Sequence, residues 1–354
     1  MPQLRRERLR AVAEKAGCGL RRNAYPALVR RTIALLVLLV LLPLTWGRTP
    51  QQPKFKRFEL SFSPLALPPA PRVEARLGAF RLEEVWQAHS RTHSFGSYSA
   101  LLLRRGGTML ALSDSGGFLE FSAPGRAQTE SRMGDLPLSK DADKAARDVE
   151  SATQDERGMI WLGLEGRNAI YRMNPDYEIE RKASPVVMKD WGVNSGPEAL
   201  TRLHDGRFVA LREGYLGWSD HLHQAALFRG DPTERPDGQG FTLDAPTGFS
   251  PTDMAQLPDG RLLILMRRLI WPMPQRFAGR IAIGDPTTIR PGGTWKVTEV
   301  ARLSSDLPID NFEGIAIAPR PDGRLTVWLI SDDNYSPLQR TLIWKMSVDP
   351  AELP

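Results

Sequence analysis

The sequence predicts an all-β protein, a β-propeller of four-stranded blades, with five blades counted and six possible. Three observations predict it. First, one hairpin pattern recurs five times: SYSALLLRRGGTMLALSDSGG from Ser97, DVESATQDERGMIWLGLEG from Asp148, GPEALTRLHDGRFVALREG from Gly196, SPTDMAQLPDGRLLILMRR from Ser250 and DNFEGIAIAPRPDGRLTVWLISDDN from Asp310. Each copy opens on polar or acidic residues and runs through a short strand. It then turns at a glycine, returns along a second apolar strand and closes on polar or charged residues. Second, the turn glycines Gly106, Gly158, Gly206, Gly260 and Gly323 are 52, 48, 54 and 63 residues apart, and similarity at such a period with several strands per repeat is the mark of a propeller. Third, alternating runs follow the hairpins, such as AIYRMNPD from Ala169, QAALFRGD from Gln224, RIAIGDP from Arg280 and TLIWKMSVD from Thr341, and then YEIERKA from Tyr177 or WKVTEVARL from Trp295. A β-sandwich with similar hairpins is the competing fold, and five copies in phase argue against it.

In chain order, the basic residues come first. The net charge of +6 belongs to residues 1–31, which hold nine Lys/Arg and two Asp/Glu; the remainder has 38 basic and 39 acidic residues. No basic face for nucleic acid is expected from a neutral body. Arg30 and Arg31 precede an uncharged run, TIALLVLLVLLPLTW. A basic region before such a run reads as a signal or a short membrane-anchor helix, although it is shorter than the roughly 20 residues of a comfortable span. The division is therefore a cytoplasmic basic region over residues 1–31, a signal or anchor over 32–47, a proline-rich tether over 48–78 with one short strand around residues 58–62, and the propeller over 79–350. Basic residues stay on the cytoplasmic side, which places the body in the bacterial periplasm, tethered to the inner membrane or secreted. The single cysteine, Cys18, lies in the leader, so the body has no disulfide and no thiolate chemistry.

Within the body only residues 140–149 have helical character. The last hairpin runs out of chain after its third strand, and AFRLEEVWQAHS from Ala79 is the candidate to supply the fourth. Closing the ring in this way removes an exposed sheet edge.

The pieces DVESATQDERGMIWLGLEG, GPEALTRLHDGRFVALREG, SPTDMAQLPDGRLLILMRR and DNFEGIAI…LISDDN resemble the phytase-like domain family, also described as "esterase-like activity of phytase". The resemblance covers roughly residues 80–348. It implies a β-propeller, an exported bacterial protein and, through the family's name, an association with hydrolysis.

A propeller gathers the polar hairpin ends at one mouth of its central channel. The strand starts offer Tyr98, Glu150, Glu198, Asp253 and Glu313, with Thr252 the better match to Glu198 by alignment. The second-strand ends offer Asp114, Glu165, Arg212, Glu213, Arg267, Arg268, Asp332, Asp333 and Asn334. Carboxylates crowded in a concave mouth repel one another unless a cation sits among them, and oxygen ligands suit a hard cation, Ca2+ above all. The expected metal ligands are Glu150, Glu198, Asp253, Glu313, Asp332 and Asp114. Glu198, Glu313, Arg212 and Arg267 are the expected catalytic residues, the arginines clamping an anionic group. Two functions compete: a metal-dependent hydrolase of a small ester or phosphoester, and a non-catalytic module binding a ligand or an envelope protein through the same mouth.

Overall fold

The computed structural model describes residues 31–33, 35–37, 58–126, 131–138, 146–192, 194–272 and 275–354. It forms two compact units, residues 1–46 and 47–354. In the first unit the described residues are helical with exposed side chains; most of the predicted leader lies outside the described residues. Among the described residues no helix is long and apolar enough to cross a membrane.

The second unit opens with β1 (Ser61–Pro64), α1 (Ala70–Leu77) and β2 (Arg81–His89). The prolines that suggest a tether instead start a helix. Pro71 sits in its first turn, where a missing N–H costs nothing and the fixed φ is already helical. Val73 and Leu77, four apart and so on one face, are buried against the body.

Four hairpin blades follow. Blade one is β3 (Tyr98–Leu103), β4 (Thr108–Ser113), β5 (Gly117–Ser122) and β6 (Arg132–Asp135). Blade two is β7 (Val149–Gln154), β8 (Ile160–Leu164), β9 (Ala169–Met173) and β10 (Ile179–Ala183). Blade three has β11 (Pro197–Arg202), β12 (Phe208–Tyr215), β13 (Leu222–Phe228) and β14 (Gln239–Asp244). Blade four has β15 (Ser250–Gln256), β16 (Leu262–Pro272) and β17 (Gln275–Gly284). The run from Trp295, expected as one strand, is split between two blades. Thr294–Lys296 (β18) adds a fifth, parallel strand to blade three, and Thr298–Leu303 (β19) completes blade four. Blade five is β20 (Asn311–Pro319), β21 (Leu325–Asp332), β22 (Leu342–Val348), then β2 and β1 from the other end of the chain. The described residues therefore hold five blades.

Local chemistry explains the hairpins. The five turn glycines have φ between +81° and +98°, a region closed to most side chains. In blades two to five an aspartate, Asp155, Asp205, Asp259 or Asp322, accepts from the backbone N–H two residues on, which fixes the turn. Neighbouring inner strands pack directly on one another around the axis: β3 on β7, β7 on β11, β11 on β15, β15 on β20 and β20 on β3. A side chain at Gly314 would come within 2.8 Å of the Leu101 amide nitrogen, so glycine is needed for blade five to approach blade one.

The ring is shut by β2, which pairs antiparallel with β22 from Arg81↔Ser347 to Gln87↔Leu342. Beneath this seam Val73, Leu77, Phe80 and Val85 share one core with Trp344, Met346 and Val348. Trp344 is fully buried, stacks edge-on to Phe312 at 5.0 Å and donates from Nε1 to the Pro308 carbonyl at 2.9 Å. Trp344→Ala is expected to destabilise the protein by about 3–5 kcal/mol, measured by urea unfolding; a loss below about 1 kcal/mol would mean that the seam does not hold the ring.

Candidate functional site

The mouth of the channel is built by one irregularity repeated five times. Each inner strand carries a β-bulge at its second or third residue. Tyr98 and Ala100 pair across the ladder while Ser99 does not, and the same holds for Glu150, Glu198, Thr252 and Glu313. A bulge leaves one residue outside the ladder and re-aims its side chain. The equivalent ring is thus Ser99, Glu150, Glu198, Thr252 and Glu313. The short members tie the blades together: Ser99 Oγ donates to the Val149 carbonyl at 2.5 Å and Thr252 Oγ1 reaches the Phe312 carbonyl at 3.4 Å. The glutamates are longer and converge.

The same register defines a second ring. One residue beyond the pair that precedes each bulge stand Asp114, Glu165, Glu213, Arg267 and Asp332. Four blades place a carboxylate there and the fourth blade places a guanidinium. Arg267 donates to Glu213 Oε1 (3.1 Å from Nη2), to Asn311 Oδ1 (3.0 Å) and to Glu313 Oε1. Asn311 Nδ2 in turn donates to Glu313 at 2.5 Å. Burial pulls on the Arg267 proton, yet Glu213, Glu198 and Glu150 hold its affinity above the ordinary value.

The remaining acids gather into two groups that share Glu165. Carboxylate oxygens of Asp148, Glu150 and Glu165 lie within 4.8 Å of one another, and so do those of Glu165, Glu198 and Glu213. Such sets of oxygen donors suit a hard cation. Burial is the main reason these carboxyls resist ionising, with mutual repulsion behind it. Glu198 is pushed up by burial and by Glu213 and Glu165; Glu150 is pushed up by burial and by Glu198 and Asp114. Glu165 is raised to about 7 by burial and by Asp148 and Glu213. Asp332 is raised to about 8 by burial and by Asp114.

Several residues singled out from the sequence do other work. Asp253 sits one position past its bulge, where the other blades place Ala100, Ser151, Ala199 and Gly314 against a neighbouring blade. Its buried carboxylate accepts from the Met254 and Ile315 amides, both at 2.8 Å, which locks blade four to blade five and takes it out of the acidic cluster. Arg212 pairs in the ladder with Pro197 and donates to Ser195 and Gln224 (Nη1 to Oε1 2.5 Å), so Glu213 and not Arg212 faces the acids. Tyr98 is a buried ladder residue, one short of the bulge. Glu313 and Asp332 do lie together, but within the Arg267–Asn311 network, and Asp332 accepts from the Asn334 amide at 2.6 Å. Asp333 accepts from the Ser97 and Tyr335 amides, pinning the loop beside blade one. Glu165, Glu213 and Asp148 are the residues that the expected ligand set lacked. The signal was the bulge register, because the acid after each second strand belongs with the unpaired residue of the first.

A cleft of about 440 Å³ opens beside the acids between blades three and four, lined by Glu213, Tyr215, Arg267, Arg268, Leu269 and Phe277 among others. His223, fully buried, braces its wall: the ring nitrogens lie 2.8 Å from the Glu213 carbonyl and 3.1 Å from that of Phe249.

The raised carboxyls fix the direction of a pH dependence. A group that holds its proton more tightly folded than unfolded stabilises at low pH, and the gain is lost as pH rises through the folded value. With chelator present, the thermal midpoint is expected to fall from about pH 5, above the ordinary carboxyl values, up to about pH 8, where the folded values of Glu165 (about 7) and Asp332 (about 8) are passed, and added calcium is expected to flatten that fall. A midpoint that rises across this window in chelator would contradict the arrangement.

The sequence model of the family described as phytase-like, esterase-like activity of phytase, matches residues 93–335. Among curated protein sequences none matches this one. Of solved structures, the chain is similar to a glutaminyl cyclase from Myxococcus xanthus, at 12% identity over 76% of this chain and 97% of that one, with a TM-score of 0.44. It is similar to a catalytically inactive virginiamycin B lyase from Staphylococcus aureus with quinupristin, at 12% identity over 74% and 70% of the two chains, with a TM-score of 0.38. It is also similar to a hypothetical protein from Leishmania major, at 10% identity over 77% and 86%, with a TM-score of 0.40. The family match spans more than half of the chain, and the chain belongs to the phytase-like family.

Proposed function

We propose that this propeller is a metal-dependent hydrolase of small esters or phosphoesters, working on the periplasmic side of a bacterial inner membrane. The observation that carries the reading is the carboxylate trio Glu165, Glu198 and Glu213 beside the cleft that Glu213 and Arg267 line. These three residues are the ones to hold the cation, with calcium first because every donor is oxygen. A cation there supplies Lewis acidity toward a carbonyl or phosphoryl oxygen. Arg267 is held in place by Glu213, Glu313 and Asn311. It presents a fixed positive charge at the cleft to an oxyanion or phosphate, and a charge already oriented needs no rearrangement as the transition state forms. Leu269, Tyr215 and Phe277 supply the apolar wall for the rest of the substrate. Export rests on the basic, then apolar, leader.

One observation favours a second reading, a non-catalytic module that binds an envelope protein. Trp218 is fully exposed, and Leu269 and Ile270 are about half exposed, with Leu269 on the rim of the same cleft. Exposed apolar side chains of this kind mark contact surfaces.

The two readings separate in one experiment on the purified full-length protein. Nitrophenyl acetate, nitrophenyl butyrate and nitrophenyl phosphate are offered with calcium and with EGTA. The hydrolase reading expects turnover that chelation abolishes and that Glu198→Gln lowers by about a hundredfold or more in kcat/KM. Turnover indifferent to both changes would refute the metal site. Calcium-dependent stabilisation without any turnover would favour the binding module.

A further inference from the structure

The opposite end of the channel, where the hairpin turns lie, holds a larger cavity of about 860 Å³ walled by the last residues of all five inner strands. Its charges reverse those of the mouth. Arg104, Arg105, Arg157 and Arg202 line it, with His204, against Asp155 and Glu156. Asp155 is already satisfied, since its Oδ1 accepts from the Arg157 and Met159 amides at 2.9 Å each. Among the described residues none of the four guanidinium groups stands in an ion pair; Arg202 reaches only the Leu203 carbonyl, at 3.4 Å. Arg104 Nη1 is fully enclosed and has no hydrogen-bond partner. Between the arginines the wall is apolar, formed by Leu101, Ala152, Met254 and Ile315. The volume falls in the range of small-molecule sites.

We propose that this cavity is a second binding site, separate from the acidic mouth, for a small organic anion bearing carboxylate or phosphate groups. Planar guanidinium groups bind either oxyanion through paired N–H donors, and a concave site with a surplus of one charge concentrates ligands of the other.

The experiment is titration calorimetry of the full-length protein with citrate and, separately, with inorganic phosphate, in wild type, in Arg157→Gln/Arg202→Gln and in Glu150→Gln/Glu198→Gln. Arg157 is exposed, so its replacement leaves the core intact, and circular dichroism confirms that each variant is folded. The proposal expects saturable binding of at least one probe, weakened tenfold or more in the arginine variant, weakened also by added NaCl, and unchanged when the mouth acids are neutralised. The probe that binds more tightly identifies carboxylate or phosphate as the preferred group. Absence of binding by either probe at millimolar concentration, equal affinity in the arginine variant, or a loss confined to the mouth variant would each overturn it.

Discussion

In each of the five inner strands one residue has no partner across the ladder, and that residue stands at the same height around the axis in every blade. Strand side chains otherwise alternate strictly between faces, which would direct them between blades and not toward the channel. The bulge breaks the alternation once, so that Glu150, Glu198 and Glu313 turn inward while the following residue, small in four blades, packs against its neighbour. Because the blades are alike, one backbone irregularity brings together acids that the sequence separates by some fifty residues and more. The site is a consequence of repetition.

Repetition also creates the central electrostatic difficulty. Five copies of an acidic position around one axis would place like charges in mutual contact within a partly dry enclosure. The fourth blade departs from the pattern and inserts Arg267, which neutralises Glu213 and Glu313 on its own side of the ring. On the far side Asp148, Glu150 and Glu165 bring their carboxylate oxygens within 4.8 Å of one another. The mouth is therefore asymmetric: an ion pair with Arg267 holds one half, and crowded, proton-holding carboxyls form the other. The cleft between blades three and four borders the neutralised half, which sets the Arg267–Glu213 pair at its wall with Glu165 and Glu198 behind it.

Much of this was legible in the sequence. Glycine turns, paired aspartates and alternating apolar runs announce hairpins through strong local chemistry, and their period gives the ring; the closing strand from Ala79 followed from simple counting. Polar hairpin ends gathering at one mouth was likewise a matter of topology. What local pattern cannot show is register. Counting strand starts gave Tyr98 and Asp253, each one residue from the bulge, although Thr252 was the better match by alignment, and Arg212 was singled out beside Glu213, which the ladder turns toward the acids. A single-residue offset in a strand moves a side chain to the opposite face, so these near misses changed function completely, and Asp253 became a clamp between blades. The helix at Ala70–Leu77 was hidden for another reason: its prolines lie where a helix begins, and only the burial of Val73 and Leu77 shows that the segment belongs to the body.

The seam between β2 and β22 has a consequence for how the molecule comes to exist. Arg81–His89 leaves the ribosome more than 250 residues before its partner Leu342–Val348. Until then blades one to four can assemble by nearest-neighbour hairpins, but the circle stays open, with one edge of β2 on β1 and the other unpaired. Contacts this distant along the chain form slowly, and an unsatisfied strand edge invites the wrong partner while it waits. Closure of the ring thus waits until β22 has been made, however early the other blades assemble.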